Sequence, residues 1–525
     1  MKTLWHNGTF FTMKSENDTV EALLTENGKI INIGPYDLLK NEADKEVNLN
    51  GTYLYPGFTD SHMHLIPHGE KLLRLDLSNA TSADELISML ENAYPDLPES
   101  EWFIGEGWDE NNFPDKRILT KHDLDHITNS PMILTRTCRH AAIVNSKALE
   151  LAGITKETPD PDDGVIERDE HGEPTGYVKE GSMHRILELI PDSTEEWLTK
   201  ALQVAIEDLH SLGLTGAVTD DLGYNENYEA PLNAYKNIIG KSKNFRAHLM
   251  FRSNVFTNIM KDNVSYEEPW ITPGEMKFFI DGSLGGRTAL LSNPYLDDPN
   301  NYGTTVVSDE EIDELVATAR KYNQAVAIHM IGDKAVEKGL DAIERHPVPK
   351  GKRDRLIHVN ILRDDLVKRM KKLPVVLDIQ PTFVVSDFPW VLDCITEDRL
   401  DWTYAWKRLI NEGFICGGGS DAPIEDPNPI LGIYAALFRK KPTEIHEGYL
   451  SKEKLSRFEA VHLFTSSNAA SIGKESERGK LDVGYDADFT VLDKNLFQVS
   501  EKDMLNTKVV NTVIAGKVVY ENNNY

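Results

Sequence analysis

The chain is expected to fold as an α/β protein: a (β/α)8 TIM barrel, a small β-sandwich formed from both chain ends, and a large insertion after the first barrel strand. Three observations lead there. Eight short apolar runs alternate with amphipathic helical patterns along the 525 residues, the pattern of a parallel sheet. Several of those runs end on a histidine or an aspartate, at the strand ends where a barrel keeps its active site. The two chain ends read differently, as short β patterns punctuated by turn dipeptides.

In chain order, residues 1–55 carry β patterns with Asn7-Gly8 and Asn27-Gly28 as hairpin turns. The barrel runs are 57–61, 215–219, 246–251, 276–280, 325–328, 355–357, 375–379 and 414–417. Helical stretches separate several of them; Ser308-Asp309-Glu310-Glu311, for example, is a capping box that opens a helix at Ile312. A barrel of about 250 residues gives each strand–helix unit about 31 residues. The stretch 65–212 is far too long for one crossover and should form a lid or cap. Within it, 102–108 and 131–136 are strand-like, and 158–164 reads as a loop. A shorter insertion, 382–401, follows strand seven. The C-terminal runs 488–492 and 513–520 resemble the N-terminal ones. Neither end holds enough strands for a stable sheet alone, so 1–55 and 475–525 should join as a sandwich beside a 56–474 barrel.

Acidic residues number 85 against 56 basic, for a formal charge of −29. That balance argues against nucleic acid and against an anionic membrane as partners. Residues 1–8 lack the apolar stretch of a signal peptide, and no run approaches membrane-spanning length. Cys138, Cys394 and Cys416 are too few and scattered for a disulfide framework; each reads as a small buried hydrophobe. A cytoplasmic location is expected.

The chemistry sits at the strand ends. Strand one leads into His62 and His64, and residues i and i+2 of a strand share a face. Two imidazoles therefore aim at one point. Strand five ends on His329, strand six on His358 and strand eight on Asp421. His329 and His358 stand 29 residues apart, and His358 and Asp421 stand 63 apart, close to one and two barrel units. Four imidazoles and a carboxylate suit zinc and tolerate manganese, iron or cobalt. Strand four adds Lys277, with Phe279 and Asp281 on its face and Phe278 and Ile280 on the other. A lysine pointing into a barrel is costly to bury charged, so its pKa should fall. A neutral amine can take up carbon dioxide as a carbamate, an anionic bridge between two ions. The alternative for Lys277 is snorkelling or a salt bridge to Asp281, and an unmodified lysine would favour one ion.

These residues, in the frame Pro56-Gly57-Phe58-Thr59-Asp60-Ser61-His62-Met63-His64, resemble the amidohydrolase superfamily. More narrowly, the chain is similar to the branch containing N-substituted formamide deformylase and proteins labelled exoenzyme regulators. The features pointing there are Gly107-Trp108-Asp109-Glu110, His140-Ala141-Ala142-Ile143-Val144-Asn145, Lys277 with Asp281-Gly282 and Arg287-Thr288-Ala289, and Ile328-His329-Met330-Ile331-Gly332-Asp333. The resemblance covers nearly the whole chain. It implies His62, His64, Lys277, His329, His358 and Asp421 as ligands of a divalent metal, zinc by preference. One or two ions would be held, bridged by carboxylated Lys277 if two. It further implies hydrolysis of a small-molecule amide by metal-activated hydroxide, with Asp421 moving the proton to the leaving amine, and a homodimer as the common assembly. One departure is visible. The branch usually has Glu before the strand-six histidine, and this chain has Ile357.

Three further residues are candidates for substrate contact, each with a duller alternative. His140 is brought over the mouth by the insertion, or caps local backbone. Trp108 walls the pocket, or packs in a core. Arg287, after Gly285-Gly286, binds a substrate carboxylate, or sits on a surface loop. Gly417-Gly418-Gly419 lacks a following Lys-Ser/Thr and reads as close packing near the metals. His210 and His462 lie in helical patterns and read as structural. Among function classes, hydrolysis of a C–N bond ranks first. A deaminase ranks lower, because Met330-Ile331-Gly332-Asp333 offers no glutamate shuttle after His329. A regulatory protein on a degenerate scaffold would have lost ligands, and the six positions are intact.

Overall fold

The computed structural model describes residues 1–93, 102–137, 140–161, 164–191, 194–223, 227–266 and 268–523. The chain divides into two compact units, Met1–Gly69 with Leu198–Tyr525, and Glu70–Trp197.

In the first unit, eight parallel strands follow one another in sequence order around a nearly closed barrel. They are Phe58–Met63, Leu214–Leu222, Arg246–Arg252, Ile271–Phe279, Val326–Met330, Asp354–His358, Val375–Ile379 and Ile415–Gly418. Each run read from the sequence lies within one residue of its strand. The first and eighth strands meet beyond their C-terminal ends, where Asp421 N donates to His62 O (2.8 Å) and His64 N donates to Ala422 O (2.7 Å). These bonds use amides that an open edge would leave unpaired. The helix Asp309–Lys321 starts at the Ser308–Glu311 capping box. The next, Asp333–Arg345, buries Ala335, Val336, Leu340 and Ile343 against the sheet side. The lower barrel interior carries charge where branched aliphatic layers are usual. Arg355, fully buried, pairs with Asp378 (2.7 Å) and Glu275 (3.4 Å), and Glu275 pairs with His248 (3.1 Å). Such burial holds because each charge faces an opposite one.

The chain ends supply two further sheets to the same unit. A four-stranded sheet runs Lys29–Gly34, Ala22–Glu26, Thr3–His6, Lys45–Asn48. A six-stranded sheet joins both ends, with Tyr53–Pro56 antiparallel to Phe489–Leu492. Trp5, Leu23 and Ile30 of the first sheet share a core with Phe10, Leu54, Phe489, Val491 and Val513 of the second. Asn27-Gly28 closes the expected hairpin between Glu26 and Lys29. Asn7-Gly8 does not. It turns the chain out of one sheet and into the other, because Thr3–His6 and Thr9–Phe11 pair with different strands.

The unit 70–197 has its own mixed six-stranded sheet, including the expected strands Phe103–Trp108 and Met132–Arg136. One face carries Leu77, Leu86, Phe103 and Leu134, the other Ile133, Val144, Ile166 and Val178. It does not take up the whole stretch 65–212 between strands one and two, because the amphipathic helix Glu195–Ser211 buries Leu198, Leu202, Ile206 and Leu209, and residues from Leu198 onward belong to the barrel unit. Cys394 and Cys416 are buried free thiols; Cys138 lies outside the described residues. Among the described residues no helix is long and apolar enough to cross a membrane.

Candidate metal centre

All six sequence-derived ligand candidates come from the ends of the barrel strands. His62 and His64 face Asp421 across the seam, with Asp421 Oδ1 3.4 Å from His62 Nε2 and 3.2 Å from His64 Nε2. Ligand atoms of these three lie within 4.8 Å of one another, close enough to hold one cation. Lys277 Nζ, fully buried, lies 3.3 Å from His62 Nε2. His329 and His358 form the other side, with His329 Nδ1 3.0 Å from His358 Nε2. Three backbone positions here are strained. His358 (φ 72°), Val359 (φ 44°) and Asp421 (φ 58°) occupy the left-handed region, which is costly for non-glycine residues and for a β-branched one above all.

The tautomers bear on what the site can hold. His329 donates Nε2–H to Gly282 O (3.1 Å), so its Nδ1 carries a lone pair. Gln380 turns its amide nitrogen to Asp378 O (3.4 Å) and its oxygen to His358 Nδ1 (2.8 Å), so His358 Nε2 carries a lone pair as well. Two lone pairs facing each other across 3.0 Å repel; a cation between them turns that repulsion into coordination. The residues present therefore fit a divalent metal, and the donor set of imidazole and carboxylate fits zinc.

Charge states agree. Burial lowers the pKa of His62, His329 and His358, the last to about 4, which favours the neutral imidazole that binds metals. Burial also opposes charge on His64, but Asp220 and Asp421 outweigh it and push its pKa to about 10. A cation at Nε2 would take the place of that proton. For Asp421, burial raises the pKa, and the hydrogen bond and charge of the protonated His64 override it, holding the carboxylate ionised. Lys277 is lowered by burial, with Asp220 and Asp421 acting against the shift.

Three contributors were not picked out from the sequence. Asp220, fully buried, lies 2.5 Å from His64 Nδ1 and 3.7 Å from Lys277 Nζ, so the ionic partner of Lys277 is Asp220 rather than Asp281. Asp60 accepts from His62 N (2.9 Å) and Ser420 N (3.0 Å), pinning strand one to strand eight. Gln380 supports His358 where Ile357 cannot. Their place in the sequence is at strand ends, where Asp60 shares the His62 face, Gln380 directly follows the seventh run and Asp220 directly follows the run ended at 219, but place alone does not reveal a residue that acts on another side chain.

The three substrate-contact candidates have other partners. Trp108 is fully buried, its Nε1–H donating to Leu134 O (2.8 Å) in the core of the 70–197 unit. His140 is exposed and its Nδ1 lies 3.1 Å from Glu180 Oε2. Arg287 meets Asp297 through Nε (3.0 Å) and Nη2 (2.6 Å), so its fork is already occupied. His210 is buried against Asn244 O (2.9 Å).

With this geometry in hand, comparison with known proteins gives a family. Residues 45–520 match the model of the Amidohydrolase family. The chain belongs to the amidohydrolase family. It is 44% identical to the Bacillus subtilis (strain 168) protein named "Putative amidohydrolase YtcJ", over 99% of this chain and 100% of that one. It is 26% identical to N-substituted formamide deformylase of Arthrobacter pascens, over 98% and 97%. A crystal structure described as an uncharacterized metal-dependent hydrolase from Pyrococcus horikoshii OT3 superposes with a TM-score of 0.80 at 31% identity, over 95% of this chain and 99% of that one. Hydrolysis is the chemistry that amidohydrolase membership supports.

Proposed function

We propose that this amidohydrolase cleaves a C–N bond, in an amide, N-acyl or N-formyl group, of a small organic substrate with the help of one or two divalent metal ions. The observation that carries the reading is the 3.0 Å approach of His329 Nδ1 to His358 Nε2, each ring bonded through its other nitrogen to an acceptor, set beside the His62–His64–Asp421 cluster. His62, His64 and Asp421 would hold one ion, and His329 and His358 a second. Lys277, buried and 3.3 Å from His62, would bridge them as a carbamate. When bound, such ions lower the pKa of water and polarise a carbonyl. Asp421, ionised and next to both strand-one histidines, accepts the proton that water loses and returns it to the leaving amine. His64 is held in register by Asp220, and His358 by Gln380. The 26% identity to a formamide deformylase favours amides over other substrates.

The test is metal content per chain after growth with zinc and bicarbonate, paired with hydrolysis of a panel of N-formyl and N-acyl amines. Two ions in the wild type, falling to one or fewer in Lys277→Ala, is the expected result. Asp421→Asn should lower turnover by about 10²–10⁴-fold while the protein stays folded. A wild type that binds no metal would overturn the reading.

A further inference from the structure

Asp333 opens the helix Asp333–Arg345 four residues beyond His329, and no part of the chemistry above uses it. It is fully buried. Its carboxylate gathers the loops that follow four consecutive strands. Ser292, from the loop after strand four, donates N–H to Oδ1 (2.9 Å) and its hydroxyl to Oδ2 (2.5 Å). Arg363, after strand six, donates to Oδ2 (2.9 Å), and Arg399, in the insertion after strand seven, donates to the same oxygen (2.6 Å). Arg399 also reaches Ser292 Oγ (2.6 Å), closing the ring.

The connection back to His329 is short. The loop that ends at Ser292 passes Leu290, whose N–H donates to Asp281 Oδ2 (2.8 Å) and whose carbonyl takes Lys334 N (3.1 Å). The same Asp281 carboxylate accepts from Ile331 N (3.0 Å) and Gly332 N (2.9 Å), on the strand-five side. The fit is tight: a Cβ on Gly332 would lie 2.0 Å from Leu290 O. Gly282, next to Asp281, supplies the carbonyl that fixes the His329 tautomer. Movement of the Ser292 loop would therefore be passed to the acceptor that keeps His329 Nδ1 free.

We infer that Asp333 is a positioning residue for His329, acting through Ser292, Leu290 and the Asp281-Gly282 turn, and that Arg399 anchors the strand-seven insertion to the same point. The inference concerns the His329–His358 half of the centre and rests on the proposed metal-dependent reading for its effect on activity. Partners at this remove from a ligand change metal affinity or activity by about 10–100-fold when lost.

The experiment uses the full chain with Asp333→Asn, Arg399→Ala and Arg399→Lys; the control for loss of an outer ion pair is Arg369→Gln, since Arg369 pairs with Asp341 (2.6 Å) and Glu344 (2.9 Å) farther along the same helix. Cobalt is the probe. Asp333→Asn and Arg399→Ala should weaken binding of the second cobalt ion by about 10–100-fold and alter its visible spectrum. The first ion should hold its affinity, Arg399→Lys should recover part of the loss, and the control should match wild type. Hydrogen exchange on metal-free protein should speed up at Ile331 and Gly332 in Asp333→Asn and Arg399→Ala. Unchanged cobalt affinity and spectrum, with only the melting temperature lowered, would overturn the inference and make the clasp merely structural. If the wild type takes up no cobalt, the function proposed above falls, and the exchange result alone decides: faster at those two amides supports the positioning role, unchanged overturns it.

Discussion

At the scale of single residues, the support of His358 shows how a site can be rebuilt from a different neighbour. Ile357 packs with Val218, Met250 and Ala327 inside the barrel and offers nothing to the imidazole that follows it. Gln380, fully buried at the end of strand seven, does so at 2.8 Å. Gln380→Leu would leave His358 Nδ1–H without an acceptor, and metal affinity should fall by about 10–100-fold. Gln380→Glu should keep the bond and the affinity, and competition with a chromophoric chelator reads both. The six ligand candidates were legible because histidine, lysine and aspartate at strand ends are conspicuous. Gln380 and Asp220 were not, since nothing in a sequence marks a polar residue that acts only on another side chain. Trp108 and Arg287 show the reverse limit. Their residue types suit a pocket, but Trp108 already donates to the Leu134 carbonyl, and Arg287 to Asp297 and the carbonyls of Leu284 and Gly285.

At the scale of elements, all eight strands were legible in place, because buried parallel strands are continuous apolar runs, but strand four begins at Ile271, five residues before its run, and strand two ends at Leu222, three beyond its run. The turns were less so. Asn7-Gly8 and Asn27-Gly28 have the same residues, and only the second joins paired strands, since pairing depends on partners distant in sequence. The glycines of strand eight illustrate how packing sets what an element tolerates. A Cβ on Gly419 would lie 2.8 Å from both Asp60 Oδ1 and His62 N, striking the bond that orients the Asp60 carboxylate, whose other oxygen accepts from Ser420 N and holds strand one to strand eight. Gly419→Ala should destabilise the protein by about 1–3 kcal/mol, the usual cost of overpacking, and lower zinc affinity with it. Gly285→Ala is the comparison, because its Cβ would meet only the Trp390 ring at 3.7 Å. Equal zinc affinity in the two variants would rule out a coupling between the seam and the centre.

At the scale of the whole molecule, the helix Glu195–Ser211 decides where the barrel unit resumes. It lies within the stretch 65–212 between strands one and two, but residues from Leu198 onward, with its buried apolar stripe, belong to the barrel unit, and a stripe does not reveal from sequence which core it serves. The helix also ties the barrel to the C-terminal strand Val509–Ile514, since Thr512 Oγ1 donates to His210 O (2.6 Å). His210 itself is neutral here. Burial is the main cause, and it holds the folded-state pKa at about 4, against an ordinary 6.5. An unfolded chain therefore binds a proton at this residue between those values while the folded chain does not. Stability is fully present above about pH 6.5 and is lost as pH falls toward 4, by about 3 kcal/mol over the window at 1.36 kcal/mol per pKa unit. Gln in place of His210 offers Asn244 O an amide donor with no titration. The urea midpoint of His210→Gln should fall less steeply than that of wild type between pH 6.5 and 4, while the two agree at pH 8. Parallel curves would mean that His210 is protonated or rearranged in the folded state, and that the contact of its ring with Asn244 O is not pH-sensitive.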